Sequence, residues 1–381
     1  MHVSDKLPSI ARHFEIEGEI IDSKRIASGH IHETFIATYA KADAANGEIF
    51  QRVHQKLNTR VFHDLGGLMK NLQRVTEHLR SQLVKARVHD LERRALCLVP
   101  TREGGFLHVD ANGHFWRTFN AIEGAHTVSR VEGPDQAWQA ARAFGNFTAM
   151  LNDLPPPPLG DTIPGFHSLS LRFSQLEEAL GNNDCRRAGD VRQEAEQAIR
   201  GFEEISDLLT SGHASTLPRR IVHHDCKVNN VMLDDRTGEG LCVIDLDTVM
   251  VGNVLSDFGE LVRTTTCRAA EDERDLERIR LDPELFRSVV RGYLVGAGGL
   301  LSAEELRLMP LAGPLFALMN AIRFLTDHLQ GDLYFHILRE GQNLDRTRAQ
   351  HRLFQRMMDQ QPLLTQLLEQ GAAGAQSSPR P

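Results

Sequence analysis

Val222-His223-His224-Asp225-Cys226-Lys227-Val228-Asn229-Asn230, with Val243-Ile244-Asp245-Leu246-Asp247 placing Asp245 fifteen residues beyond Asn230, decides the reading of this chain. His223, Asp225 and Asn230 satisfy H-x-D-x-x-x-x-N, the spacing that sets a catalytic Asp and a metal-binding Asn on one phosphotransfer loop. Val231-Met232-Leu233 and Leu241-Cys242-Val243-Ile244 read as two short strands joined by the turn-forming Asp234-Asp235-Arg236-Thr237-Gly238-Glu239-Gly240. A hairpin brings its open ends together. Asn230 enters it and Asp245 leaves it, so both are expected beside Asp225, as an oxygen-ligand pair for Mg2+.

The residue types fit the chemistry. Phosphoryl transfer asks a protein to position the acceptor hydroxyl, take or orient its proton, and neutralise phosphate charge. Asp225 is assigned to the hydroxyl, Lys227 to the transferring phosphoryl as a compact cation, and Asn230 with Asp245 to the metal. Asp257-Phe258-Gly259 also spells a metal motif. It follows the loop-forming Gly252-Asn253-Val254-Leu255-Ser256 and not a β-branched strand, so Asp257 is expected to be structural, capping a helix that begins near Phe258.

The 381 residues suffice for two lobes, and a formal charge of −8 without a basic block argues against nucleic acid or an anionic membrane as partner. A small molecule fits better. Cys97, Cys185, Cys226, Cys242 and Cys267 are odd in number and lack C-x-x-C spacing. That pattern fits a reducing compartment and indicates neither a disulfide framework nor a zinc site. With no apolar signal core at the amino terminus and no stretch approaching 18 apolar residues, a cytoplasmic location is expected. Oligomeric state is not legible.

From about residue 20 to 109, apolar runs alternate with turns around one amphipathic helix, 65–85, which sets Leu68, Leu72, Val75 and Leu79 on one face. Beyond residue 121, the hairpin apart, the period is helical over 134–151, 169–180, 192–209, 283–296, 303–329 and 345–369. Asp282-Pro283-Glu284 and Ser302-Ala303-Glu304-Glu305 supply start signals. The expected architecture is an α+β, protein-kinase-like two-lobe fold. Residues 1–120 form a β-rich nucleotide-binding lobe, 121–371 a helical catalytic and substrate-binding lobe, and 372–381 a disordered tail.

In the small lobe, the segment 26–36 reads as strand, turn, strand. Gly29 lets the backbone approach phosphates there, with Ser28 as a donor. The strand 50–58 is expected to supply the cation for the nucleotide phosphates, Lys56 first and Arg52 second. Glu77, the one acid in 65–85, is read as a surface residue, which leaves the carboxylate partner of that cation unidentified. The strand 114–120 leads into the lobe junction at 121–124, where adenine would meet backbone. Arg117 on that strand is placed among the nucleotide contacts, and Trp116 and Phe119 read as core or pocket wall.

Together these features resemble the aminoglycoside phosphotransferase and choline kinase superfamily, and more closely its N-acetylhexosamine 1-kinase group. The resemblance is carried by residues 28–34, 57–62, 163–167, 223–230 with 243–248, and 321–329. It implies an enzyme that uses ATP and Mg2+ to phosphorylate the anomeric hydroxyl of an N-acetylhexosamine. Asp225 would act on the hydroxyl, Asn230 and Asp245 would hold the metal, and His30, His167, Arg323 and Tyr334 would hold the sugar. The chain departs from the group's pattern at Lys70, which stands where an acid is expected. Among related acceptors, a quaternary ammonium would need an aromatic cage and a polycationic aminoglycoside an acidic cleft. Two Trp and three Tyr, dispersed in sequence, do not point to the cage.

Overall fold

Alternating polar and apolar residues between 19 and 120 build one antiparallel sheet in the computed structural model, which describes residues 7–26, 31–41 and 48–377. The chain opens with helix α1 (Leu7–Ala11), then strands β1 (Glu19–Ile26), β2 (Glu33–Ala40) and β3 (Ile49–Lys56). Helices α2 (Leu65–Lys85) and α3 (Leu91–Arg94) precede β4 (His108–Val109) and β5 (Phe115–Asn120). The strands lie in the order β1-β2-β3-β5-β4.

The sheet has two unlike faces, set by register. Phe35 pairs with His54 on the outer face, which Trp116, paired with Lys56 two residues along, shares. There Leu7, Ile10 and Phe14 cover them in a small core. The sequence reading placed residues 1–120 in this lobe but began its pattern near residue 20 and missed this cover, although Leu7, Ile10, Ala11 and Phe14 carry helical spacing. Thr34, Gln55 and Arg117 align one residue along, on the opposite face. That face carries Phe119 into the main core against Leu72, Val75 and Leu79 of α2. Helix α2 has the expected bounds, and Leu68, Leu72, Val75 and Leu79 are all buried.

A short β6 (Ala125–His126) leads into α4 (Pro134–Leu151), α5 (Leu169–Asn182), α6 (Arg192–Ser211) and β7 (Arg220–Val222). Next come β8 (Val231–Asp234), β9 (Gly240–Val243), β10 (Met250–Gly252) and α7 (Val254–Thr265). The chain closes with α8 (Pro283–Ala297), α9 (Ala303–Leu308), α10 (Ala312–Leu329), α11 (Gln342–Asp359) and α12 (Gln361–Ser377). Helices α4 and α8 meet so closely that a side chain at Gly292 would strike the Trp138 carbonyl. Asp282 caps α8 through the Glu284 and Leu285 amides, and Ser302 with Glu305 forms the expected capping box.

Two expected helices are broken, each at a proline. The stretch 303–329 divides at a 3-10 turn, Met309–Leu311, because Pro310 lacks an amide donor and its ring collides with the preceding turn. The stretch 345–369 divides between α11 and α12, with Pro362 in the first turn of the second helix. Residues 372–377, expected within a disordered tail, continue α12 as helix. Leu364, Leu367 and Leu368 anchor that helix in the core.

Candidate active site

The catalytic hairpin forms as its turn chemistry requires. Val231 pairs with Val243, and Asp234 Oδ1 closes the turn by accepting from the Arg236 and Thr237 amides and the Thr237 hydroxyl. The Ile244 amide then donates to the Asn230 carbonyl at 2.9 Å, which brings the two ends together. His223 welds them to the loop. Its Nδ1 accepts from the Asp225 amide at 3.2 Å, so Nε2 carries the hydrogen and donates to the Ile244 carbonyl at 2.9 Å.

Asp225 lies between two donors. Lys227 Nζ is 2.6 Å from Oδ1, and Asn230 Nδ2 is 3.0 Å from Oδ2. Burial by itself would raise this carboxyl, but the Lys227 charge and these hydrogen bonds hold it below the ordinary range. Asp225 is therefore ionised at neutral pH, suited to orienting a hydroxyl and taking its proton late.

Asp245 follows the hairpin in the left-handed region, φ 60. Among the described residues, none donates to or pairs with its carboxylate. Burial, and then the neighbouring Asp247 and Asp225, push it above the ordinary carboxyl range. An unpartnered carboxylate crowded by two others, beside an amide whose nitrogen faces Asp225 and whose oxygen is left over, fits a small hard cation. Among the described residues no group of three or more His, Cys, Asp or Glu forms a closed cage. Water and phosphate oxygens would complete the coordination, as Mg2+ prefers.

Asp257 is structural, as expected, by a different route. Asn253 caps α7, whereas Asp257 sits in its first turn and accepts from the His223 and His224 amides at 2.9 and 2.7 Å. It holds the loop's backbone.

The small lobe corrects three assignments. Lys56 lies on the outer face, paired with Glu33 at 2.6 Å on the neighbouring strand. Arg52 shares that face and stacks over Phe50 at 4.4 Å. Both were expected to hold phosphates, but strand alternation turns them from the helical lobe. Glu33 supplies the carboxylate partner that the sequence left unidentified, and Glu77 is exposed and bonded to Gln73. Arg117, expected to touch the nucleotide, is buried instead with its guanidinium on Gln55 and Asp247. Trp116 packs in the outer core and Phe119 in the main one. Ser28, Gly29 and His30 lie outside the described residues.

On the other side of the loop, His167 and Arg323 lie against the same Phe166 ring. The His224 ring lies 5.0 Å from His167, which stacks on Phe166 at 4.4 Å. Arg323 sits 5.3, 5.8 and 5.2 Å from the rings of Phe166, Tyr334 and Phe335, with one polar partner, Asn320 at 3.4 Å. Among the described residues, none bonds to the buried His167 Nδ1. Burial, reinforced by His224 and Arg323, drives its pKa well below the ordinary value and keeps the ring neutral. Asp327, four residues beyond Arg323, accepts from the Leu333, Tyr334 and Phe335 amides and from Asn343. It builds the loop that presents Tyr334.

Sequence reasoning missed Gln55, His32 and Asp247 as site-forming residues. The Asp-x-Asp spacing at 245–247 was the available signal.

A model of the Phosphotransferase enzyme family matches residues 22–288. Among solved structures, a microcompartment-associated aminopropanol kinase superposes with a TM-score of 0.62 at 17% identity, covering 95% of this chain and 99% of that one. A choline/ethanolamine kinase family protein from Mesorhizobium loti gives 0.52 at 17%, covering 98% and 100%. A spectinomycin phosphotransferase, solved with ADP and its antibiotic, gives 0.51 at 11%, covering 98% of each chain. At these identities the likeness establishes the two-lobe kinase-like fold.

Proposed function

We propose that this chain, which belongs to the Phosphotransferase enzyme family and acts on a hydroxyl acceptor, uses ATP with Mg2+ to phosphorylate the anomeric hydroxyl of an N-acetylhexosamine or related sugar. Asp225 orients the acceptor hydroxyl and receives its proton as the oxygen bonds to the γ-phosphorus and the bond to the β,γ-bridging oxygen breaks, releasing ADP. Lys227, 2.6 Å from Asp225, stands at the edge of the same position, where its ammonium faces the charge on the transferring group. Asp245 and the Asn230 side-chain oxygen would hold Mg2+, which would supply positive charge to neutralise phosphate oxygens. ATP use is supported by the ADP in the spectinomycin phosphotransferase.

The acceptor class rests on one observation. Arg323 is surrounded by three rings and, among the described residues, has no acidic partner, while Asp327 is occupied by the backbone amides of 333–335 and by Asn343. A guanidinium with spare donors, ring faces and a neutral His167 suits the hydroxyls and carbonyl of an uncharged sugar. The ammonium groups of choline, amino alcohols or aminoglycosides would be repelled by Arg323.

The experiment is a phosphate-acceptor screen of N-acetylhexosamines, free hexoses, amino alcohols and aminoglycosides, with ADP release as readout and the phosphate position assigned by NMR. Anomeric phosphorylation of an acetamido sugar is the expected product. Turnover confined to the amino alcohols or aminoglycosides would overturn the sugar assignment. No acceptor-dependent ADP release across the panel would favour a binding module built on the same fold.

A further inference from the structure

Among the contacts between the lobes, which include Arg93 with Asp234 and Arg94 with Glu239, one buried carboxylate lies next to the metal residues. Asp247 lies in the 3-10 turn Leu246–Thr248 that directly follows Asp245. Arg117 of β5 forks onto both its oxygens, at 2.5 and 2.6 Å. Its Nε and Nη2 also grip Gln55 Oε1 of β3 at 2.9 and 2.7 Å. Gln55 in turn donates to Thr34 of β2 at 3.2 Å, so three adjacent strands are tied to this carboxylate. His32 adds a third donor. Its Nδ1 accepts from the Asn58 amide at 3.0 Å, which places the hydrogen on Nε2, 2.6 Å from Asp247 Oδ2. The side chains of Arg117, Asp247 and His32 are 2%, 3% and 4% exposed.

Three charge-assisted donors occupy three of the about four lone-pair sites of Asp247, including both on Oδ2, so its carboxylate is committed to the protein and not offered as a second metal ligand. It fixes the far end of the turn whose near end is Asp245 in its left-handed conformation. The helical-lobe side of that turn is held separately, by the Thr248 hydroxyl on the His223 carbonyl at 2.7 Å.

We propose that Asp247 is a positioning residue for Asp245, and that Arg117 and His32 form with it an inter-lobe clamp that makes Mg2+ binding at Asp245 depend on the seating of the small lobe. This rests on the reading that Asp245 holds Mg2+. In most sites the groups that orient a metal ligand set affinity by about ten- to a hundredfold. Here that orienting group reaches across the cleft.

The test measures ADP binding calorimetrically with and without Mg2+, and takes the ratio of the two affinities as the metal's contribution. Asp245→Asn should erase that ratio; if it does not, the metal assignment itself fails. Given that loss, Arg117→Gln and Asp247→Asn should each reduce the ratio by about tenfold or more, with metal-free ADP binding much less affected. The double variant should be no worse than either single one, because both break the same clamp. It also removes both buried charges, so it keeps the test open if a single variant fails to fold. His32→Gln, which spares the arginine fork, should give a smaller loss, and Arg117→Lys an intermediate one. A ratio unchanged in Arg117→Gln and Asp247→Asn, with only the melting temperature lowered, would make the cluster purely structural and overturn the proposal. Additive losses in the double variant would overturn it equally.

Discussion

Replacing Asp257 by Asn separates a structural carboxylate from a metal ligand at a position whose sequence, Asp-Phe-Gly, suggests the latter. Asp257 is fully buried and receives the His223 and His224 amides at 2.9 and 2.7 Å. An Asn of the same shape keeps one acceptor and turns an NH2 group toward the other amide. One charge-assisted bond becomes neutral, and a buried N–H loses its partner. Loss of the partner alone costs about 1–3 kcal/mol, so the two effects together come to about 2–4 kcal/mol. Urea unfolding should register this as a lowered midpoint at constant slope. The loop that carries Asp225 hangs on these two amides, so turnover should fall too. The Mg2+ contribution to ADP binding should stay within about twofold, a change of less than 0.5 kcal/mol. Stability unchanged to within about 0.5 kcal/mol, combined with loss of the Mg2+ effect, would refute the structural role.

Asp225→Asn should lower turnover by about two to four orders of magnitude while ADP binding persists, and single-turnover kinetics with a calorimetric control would show it. Asp245→Asn should stabilise the ligand-free protein. Burial, Asp247 and Asp225 raise the Asp245 carboxyl in the folded state, so the fold binds that proton more tightly than the unfolded chain does. Ionisation therefore costs stability as pH climbs from the ordinary carboxyl pKa through the raised one, and the loss persists at neutrality. Melting temperature at pH 7 should rise, and the gain should vanish in acid below the ordinary carboxyl range. A lower melting temperature at pH 7 would contradict this. Lys56→Met removes only a half-exposed pair on the outer sheet face, so stability should change by less than about 1 kcal/mol and the ATP KM by less than about twofold. A large rise in that KM would return Lys56 to the cleft.

The catalytic loop was legible because its meaning is local. A hairpin flanked by Asn230 and Asp245 can close in only one way, and the spacing of Asp225 from Asn230 follows from a single tight loop. The same holds for α2, whose apolar stripe at helical period needs no partner to be recognised, and for the Asp282 and Ser302 caps. Prolines were underweighted. Pro310 and Pro362 interrupt long apolar patterns that a period count alone runs together.

The small lobe shows where locality ends. A strand's sequence says that Lys56 and Gln55 point opposite ways, but not which of the two faces the helical lobe. That depends on which side α1 covers, and on Arg117 reaching across Gln55 to Asp247. Asp257 carries the same lesson: sequence spacing gave it a helix cap, yet it is claimed by the His223 and His224 amides that another segment brings to it. The sequence by itself determined the two-lobe kinase-like fold, the family and the hairpin that unites Asp225, Asn230 and Asp245. Only the tertiary structure decided which cations face the cleft, what Asp247 holds and why Arg323 lacks an acid, because hydrogen-bond partners distant along the chain compete for each buried charge and packing settles the competition.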